Sequence, residues 1–150
     1  MIIAGVVIFG GIFIFGKKKG GKKQMEVSES VATLMIKACE RLVLYLERIR
    51  YSVLVRRTFL PGMSSNELQF ALIQNIEDEF EHNLAQRLYV SEEVWMTIVL
   101  TKDDVLKNIN EAFASNPDAD AATMAQLIAS MPNSLIDKAV IAIKKEFNNF

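Results

Sequence analysis

The sequence predicts an all-α protein: a single N-terminal transmembrane helix followed by a cytoplasmic bundle of four to five helices. Three observations carry this. Apolar residues recur at helical spacing from about Ser28 to Phe147. Alternating runs bounded by turn residues, the signature of strands, are nearly absent. The opening residues MIIAGVVIFGGIFIFG, Met1 to Gly16, hold no charged or strongly polar side chain and run straight into a lysine cluster. A length of 150 residues suffices for one domain with a real core. The chain divides into an anchor (1–16), a lysine/glycine linker (17–25) and a helical domain (26–150).

The junction GIFIFGKKKGGKK, Gly11 to Lys23, decides between three readings. Gly11, Gly16 and Lys17 fall at the spacing of a phosphate-binding loop, but Lys18 stands where Ser or Thr must ligand Mg²⁺. Ile12 to Phe15 are also too bulky for a loop that must expose backbone N–H groups. A secretory signal carries its positive charges before the apolar run, and here they follow it. Apolar-then-lysine is the order of a stop-transfer anchor. By the positive-inside rule Lys17, Lys18, Lys19, Lys22 and Lys23 lie membrane-proximal on the cytoplasmic side of the inner membrane. Ile2 to Gly16 would rise only about 22 Å as a helix, short of the roughly 30 Å hydrocarbon core. Lysine snorkelling recovers part of this, or the true start lies upstream. A buried core helix is the competing reading, and four glycines suit it poorly.

Past the linker, Val31, Met35, Ala38, Leu42, Tyr45 and Ile49 recur at 4-3-4-3-4, a heptad seam on a helix from Ser28 to Arg50 with Ser28 as its cap. Tyr51 to Met63 breaks the period, and Pro61-Gly62 marks a turn. Ser64 and Glu67 form a capping box for a second helix reaching about Tyr89, which buries Leu72, Ile76, Phe80, Leu84 and Leu88. Ser91 caps a third, with Trp95, Ile98, Val105, Ile109 and Phe113 inward, ended by Asn116-Pro117. A short helix from Ala119 to Ser130 stops before Pro132. The last, Ser134 to Phe147, packs Ile136, Ala139, Ile143 and Phe147.

Composition bounds the function. The net charge is −1, and the five lysines before Gln24 conceal a body at −6 (−1 − 5). The lack of a basic excess argues against sequence-independent nucleic-acid binding, and no nucleic-acid partner is expected. The lone Cys39 sits in an apolar helical pattern and reads as a buried hydrophobe. No Ser-His-Asp set, glycine-rich nucleotide loop or Cys/His cluster is present, and no cofactor is implied. The most pointed constellation is EDEFEHNLAQRLYVS, Glu77 to Ser91. Glu79 and His82 form Glu-x-x-His, the unit of bundle di-iron sites, but one histidine per chain would require a symmetric dimer, with Glu40 or Glu47 adding ligands. At 100° per residue Glu79, His82, Asn75, Gln86 and Tyr89 share one polar face, which reads as solvated surface or as a contact for another helix.

The stretches ERLVLYLERI (Glu40 to Ile49), VRRTFLPGMSSNELQ (Val55 to Gln69), EFEHNLAQRLYVS (Glu79 to Ser91) and KAVIAIKKEF (Lys138 to Phe147), with Trp95, resemble an uncharacterised Bacteroidota family with an N-terminal membrane segment and a helical cytoplasmic domain. The resemblance implies membrane attachment and no activity, substrate or cofactor. The expected role is a non-catalytic, membrane-tethered adaptor or accessory subunit. Leu42, Tyr45 and Ile49 on the seam, and Glu79, His82, Gln86 and Tyr89 on the polar face, are the expected contacts for a protein partner or a second copy. A dimeric metal site at Glu79 and His82 is the alternative. Lipid binding through Arg48, Arg50, Arg56 and Arg57 is a third possibility.

Overall fold

The computed structural model describes residues 19–149, with side chains from Ser28 onward. Seven helices occur among these residues: α1 (Lys19–Arg48), α2 (Tyr51–Thr58), α3 (Ser65–Glu81), a 3₁₀ helix η1 (Leu84–Tyr89), α4 (Glu92–Ser115), α5 (Ala121–Ala129) and α6 (Ser134–Phe147). No strand interrupts them, so the expected helical bundle is what forms. Three expectations need correction. The bundle has more than four to five helices, because two segments read as a loop and a continuous helix fold otherwise. None of the described helices is long and apolar enough to cross a membrane, so the expected transmembrane helix finds no support. The segment assigned to it, residues 1–16, lies outside the described residues, as do Lys17 and Lys18. Finally, Lys19, Lys22 and Lys23 belong to α1 rather than to a linker. Extending an existing helix avoids the nucleation cost, and lysine and glutamine are good helix formers that offset Gly20 and Gly21.

Local capping explains most boundaries. Ser64 Oγ accepts from Glu67 N–H at 3.3 Å while the Glu67 carboxylate accepts from Ser64 N–H at 2.8 Å, the reciprocal box that the spacing predicts. The Ser64 N–H, and then the Ser64 hydroxyl, donate to the Glu67 carboxylate and hold it below its usual range. Ser91 caps α4 through Val94 N–H at 3.3 Å, and Asp120 caps α5 through Thr123 N–H at 2.7 Å. Gly62 has φ of 90°, the left-handed position of the Leu60–Met63 turn that a side chain would strain. Ser28 caps nothing, since α1 already runs through it.

The cap of α2 comes from far along the chain. Arg50 is extended and supplies no side-chain cap; instead Tyr51 N–H donates to Asn133 Oδ1 at 3.1 Å. Arg50 fastens the same corner, pairing with Glu47 at 2.7 Å and with Asp137 of α6 at 2.7 Å. Tyr51, Leu54, Val55 and Thr58 then turn inward. Burial, rather than any local signal, selects a helix here.

One core joins all six α-helices, with Leu46 of α1, Leu54 of α2, Leu68 and Leu72 of α3, Ile98 and Ile109 of α4, Met124 and Ile128 of α5, and Ile143 of α6. Burial of each such side chain is worth about 1.5–3 kcal/mol. Leu42, Tyr45 and Ile49 sit in its centre, all but fully buried. The heptad seam is therefore covered by this chain's own helices over its second half. Those three residues are interior and not a surface for a partner.

The second expected helix stops early, at Glu81. Asn83 is buried and its Nδ2 donates to Glu79 C=O at 2.7 Å, while His82 Nδ1 contacts Asp78 C=O. Side chains that compete for the backbone in this way unwind a helix end. The chain continues as η1, whose tighter winding rotates the following side chains away from the α3 stripe. Leu72 and Ile76 stay buried, but Leu84 and Leu88 turn outward, Leu88 to 79% exposure.

Candidate functional site: two grooves flanking the first helix

The expected polar site lines a groove of about 500 Å³ between α1 and α3, bounded by Arg41, Leu44, Arg48, Glu79 and His82. Its charges are already matched. Both Glu79 oxygens accept from Arg48 Nη1, at 3.0 and 2.9 Å, and one also accepts from Arg57 Nη2 at 2.9 Å. Glu79 is only 17% exposed. Burial pushes its carboxyl up, but the hydrogen bonds and charges of Arg57 and Arg48 outweigh this and hold it below the ordinary range. A carboxylate so engaged has little left to offer a metal ion. His82 is exposed; its Nδ1–H donates to the Asp78 carbonyl, and its own carbonyl accepts from Arg41 at 3.5 Å. No group of three or more His, Cys, Asp or Glu residues placed to hold a metal occurs among the described residues. Of the four arginines expected to meet lipid, three are likewise engaged, Arg48 and Arg57 with Glu79 and Arg50 with Glu47 and Asp137, while Arg56 is exposed and makes no ion pair among the described residues.

At the floor of this groove lies the Tyr45 ring, tilted against Phe80 at 5.9 Å, with Phe80 stacked on Trp95 at 5.5 Å and Lys102 Nζ 5.0 Å from the Phe80 centroid. The buried Tyr45 hydroxyl finds no partner. Burial first, then the charges of Glu77, Asp103 and Glu79, push its ionisation well above the usual phenol range. Cys39 is similarly inert: burial, then Glu146, raise its thiol.

The second groove is different. It encloses about 1000 Å³ and has three walls: α1 (Val31, Met35), α6 (Ile141, Ala142), and η1 with the start of α4 (Leu88, Val94). Val31, Leu88 and Ile141 leave 44, 79 and 52% of their surface exposed. The walls are held together by α6, which packs on both α1 and α4, and by Glu146, whose carboxylate accepts from Ser91 N–H at 2.7 Å and from Ser91 Oγ. Lys138 and Lys145 stand on the α6 wall and Glu93 on the α4 wall, and none of the three makes an ion pair among the described residues.

The structure thus splits the expected polar face. Glu79 and His82 stay in the first groove with Asn75, which donates to Thr58 Oγ1 at 3.3 Å. Tyr89 lines the second, and Gln86 lies half-buried on η1. Leu88 and Ile141 were not legible as site residues. The signal for Leu88 was Asn83, a residue that favours leaving a helix, placed between two halves of one apolar stripe. The second groove is thus lined mainly by apolar side chains, with Lys138, Lys145 and Glu93 on its walls and the Glu146–Ser91 contact between them.

Fold and site together define a bundle that is all-helical over the described residues, with an open, mainly apolar groove beside its first helix. The chain belongs to a family of unknown function (DUF7935), whose profile matches residues 1–150. That match carries neither a source organism nor a membrane tether. No curated protein and no solved structure matches the chain.

Proposed function

We propose that the chain is a non-catalytic helical interaction module, an adaptor or accessory subunit that receives an apolar helix face in the groove between α1, η1 and α6. The observation that supports this reading is the outward placement of Val31, Leu88 and Ile141 around a volume of about 1000 Å³. Contiguous exposed apolar surface of this kind marks contact sites. The interaction surface moves accordingly, from Leu42, Tyr45 and Ile49 to the groove. The reading needs no membrane span.

A photo-crosslinking residue placed at position 141 in cells tests it. A discrete protein adduct is expected there and none from position 70, where Phe70 is exposed on α3, away from the groove. Equal labelling from both positions would contradict the reading.

A further inference from the structure

We infer that the occupant of the groove is a second copy of this chain, related by a two-fold axis; this rests on the reading of the groove as a contact surface. A two-fold interface places one patch against itself, so the patch must be self-complementary in shape and in charge. The groove meets both conditions. It offers a projection as well as a hollow: Leu88, the most exposed large apolar residue among those described, stands beside the cleft lined by Val31, Met35 and Ile141. Each copy can insert its Leu88 into the hollow of the other. The free charges differ by wall: α6 carries Lys138 and Lys145, its Glu146 carboxylate being taken up by Ser91, and α4 carries Glu93. Lys138, Ile141 and Lys145 follow at three and four residues, so they share one face of α6, with the two lysines about 10 Å apart along the axis.

A two-fold axis running along the groove, in the plane of contact, sets the acidic wall of one copy against the basic wall of the other, which pairs both sets at once. A foreign helix would need an acidic flank and a basic flank arranged to suit; a second copy has them by symmetry.

Sedimentation velocity of the full chain across a concentration series tests this with three variants. The wild type sediments as a dimer. Glu93→Lys weakens association about tenfold or more, as like charges then meet across the axis, and Lys138→Glu with Lys145→Glu does the same. Combining all three substitutions in one chain reverses both walls and restores the dimer. Circular-dichroism melting controls for folding; were Glu93→Lys to unfold the chain, Leu88→Asp on the exposed projection reads the same contact. A wild-type monomer, a dimer indifferent to the single-wall variants, or a combined variant that stays monomeric would each overturn the inference. A wild-type monomer that still gives a crosslink of another protein from position 141 would remove the second copy and leave the contact reading standing. Loss of both would remove both.

Discussion

Two grooves border α1, and they differ in what they leave unfinished. The one between α1 and α3 is polar and its central carboxylate is engaged, since Glu79 pairs with both Arg48 and Arg57, and the Tyr45 ring, backed by Phe80 and Trp95, lies at its floor. The one between α1, η1 and α6 is apolar and unsatisfied, with Leu88 and Ile141 in solvent and three charges unpaired. The lesson is that a polar constellation of suggestive spacing can be structural. The less conspicuous aliphatic residues mark the surface that still has something to gain.

The contrast can be tested from its strongest consequence downward. Leu42 is interior, so Leu42→Ala should cost about 3 kcal/mol of stability in denaturant titration, through lost burial and the cavity left behind. A change under about 0.5 kcal/mol would return Leu42 to the surface, the range of ordinary exposed substitutions. Glu79→Gln should cost about 1 kcal/mol at neutral pH, modest because Arg48 and Arg57 remain largely solvated when released. Its folded carboxyl is held below the unfolded value, so the stabilisation is full above about pH 4.3 and fades as pH falls through the folded value. The wild-type and Glu79→Gln curves should therefore converge below about pH 4, and parallel curves would mean that the clamp contributes nothing. Tyr45→Phe removes a buried hydroxyl that has no partner and should leave stability unchanged or raise it by up to about 1 kcal/mol. A clear loss in thermal melting would reveal a hydrogen bond to that oxygen.

How much of this was legible depends on the range of the determining interaction. The capping box of α3, the Ser91 cap of α4 and the turn at Pro61-Gly62 are written within four residues, and Ser64, Glu67, Ser91 and Gly62 behave as their spacing predicts. The inward faces of α4 and α6 follow the helical period, with Trp95, Ile98, Val105, Ile136 and Ile143 buried as expected. Helix α2 escaped because its cap, Asn133, is 82 residues from Tyr51. The groove escaped because periodicity tells which side of a helix is apolar but not what covers it. Ala38, Leu42, Tyr45 and Ile49 continue the seam of Val31 and Met35, yet of these six residues the bundle buries only those from Ala38 onward. Leu88 was misplaced by a single change of winding at Asn83, which turned an expected core residue into the most prominent feature of the surface.

The account's central claim is that stability and assembly reside in different grooves. The most direct measurement pairs the two on one variant, Leu88→Asp with Ile141→Asp, taking its melting curve and its assembly state by native mass spectrometry of the full chain. The account predicts a stability within about 0.5 kcal/mol of wild type, as for other exposed positions, together with loss of the assembled species. A variant that assembles as the wild type does, or one that unfolds, would show that these leucine and isoleucine side chains serve no contact surface.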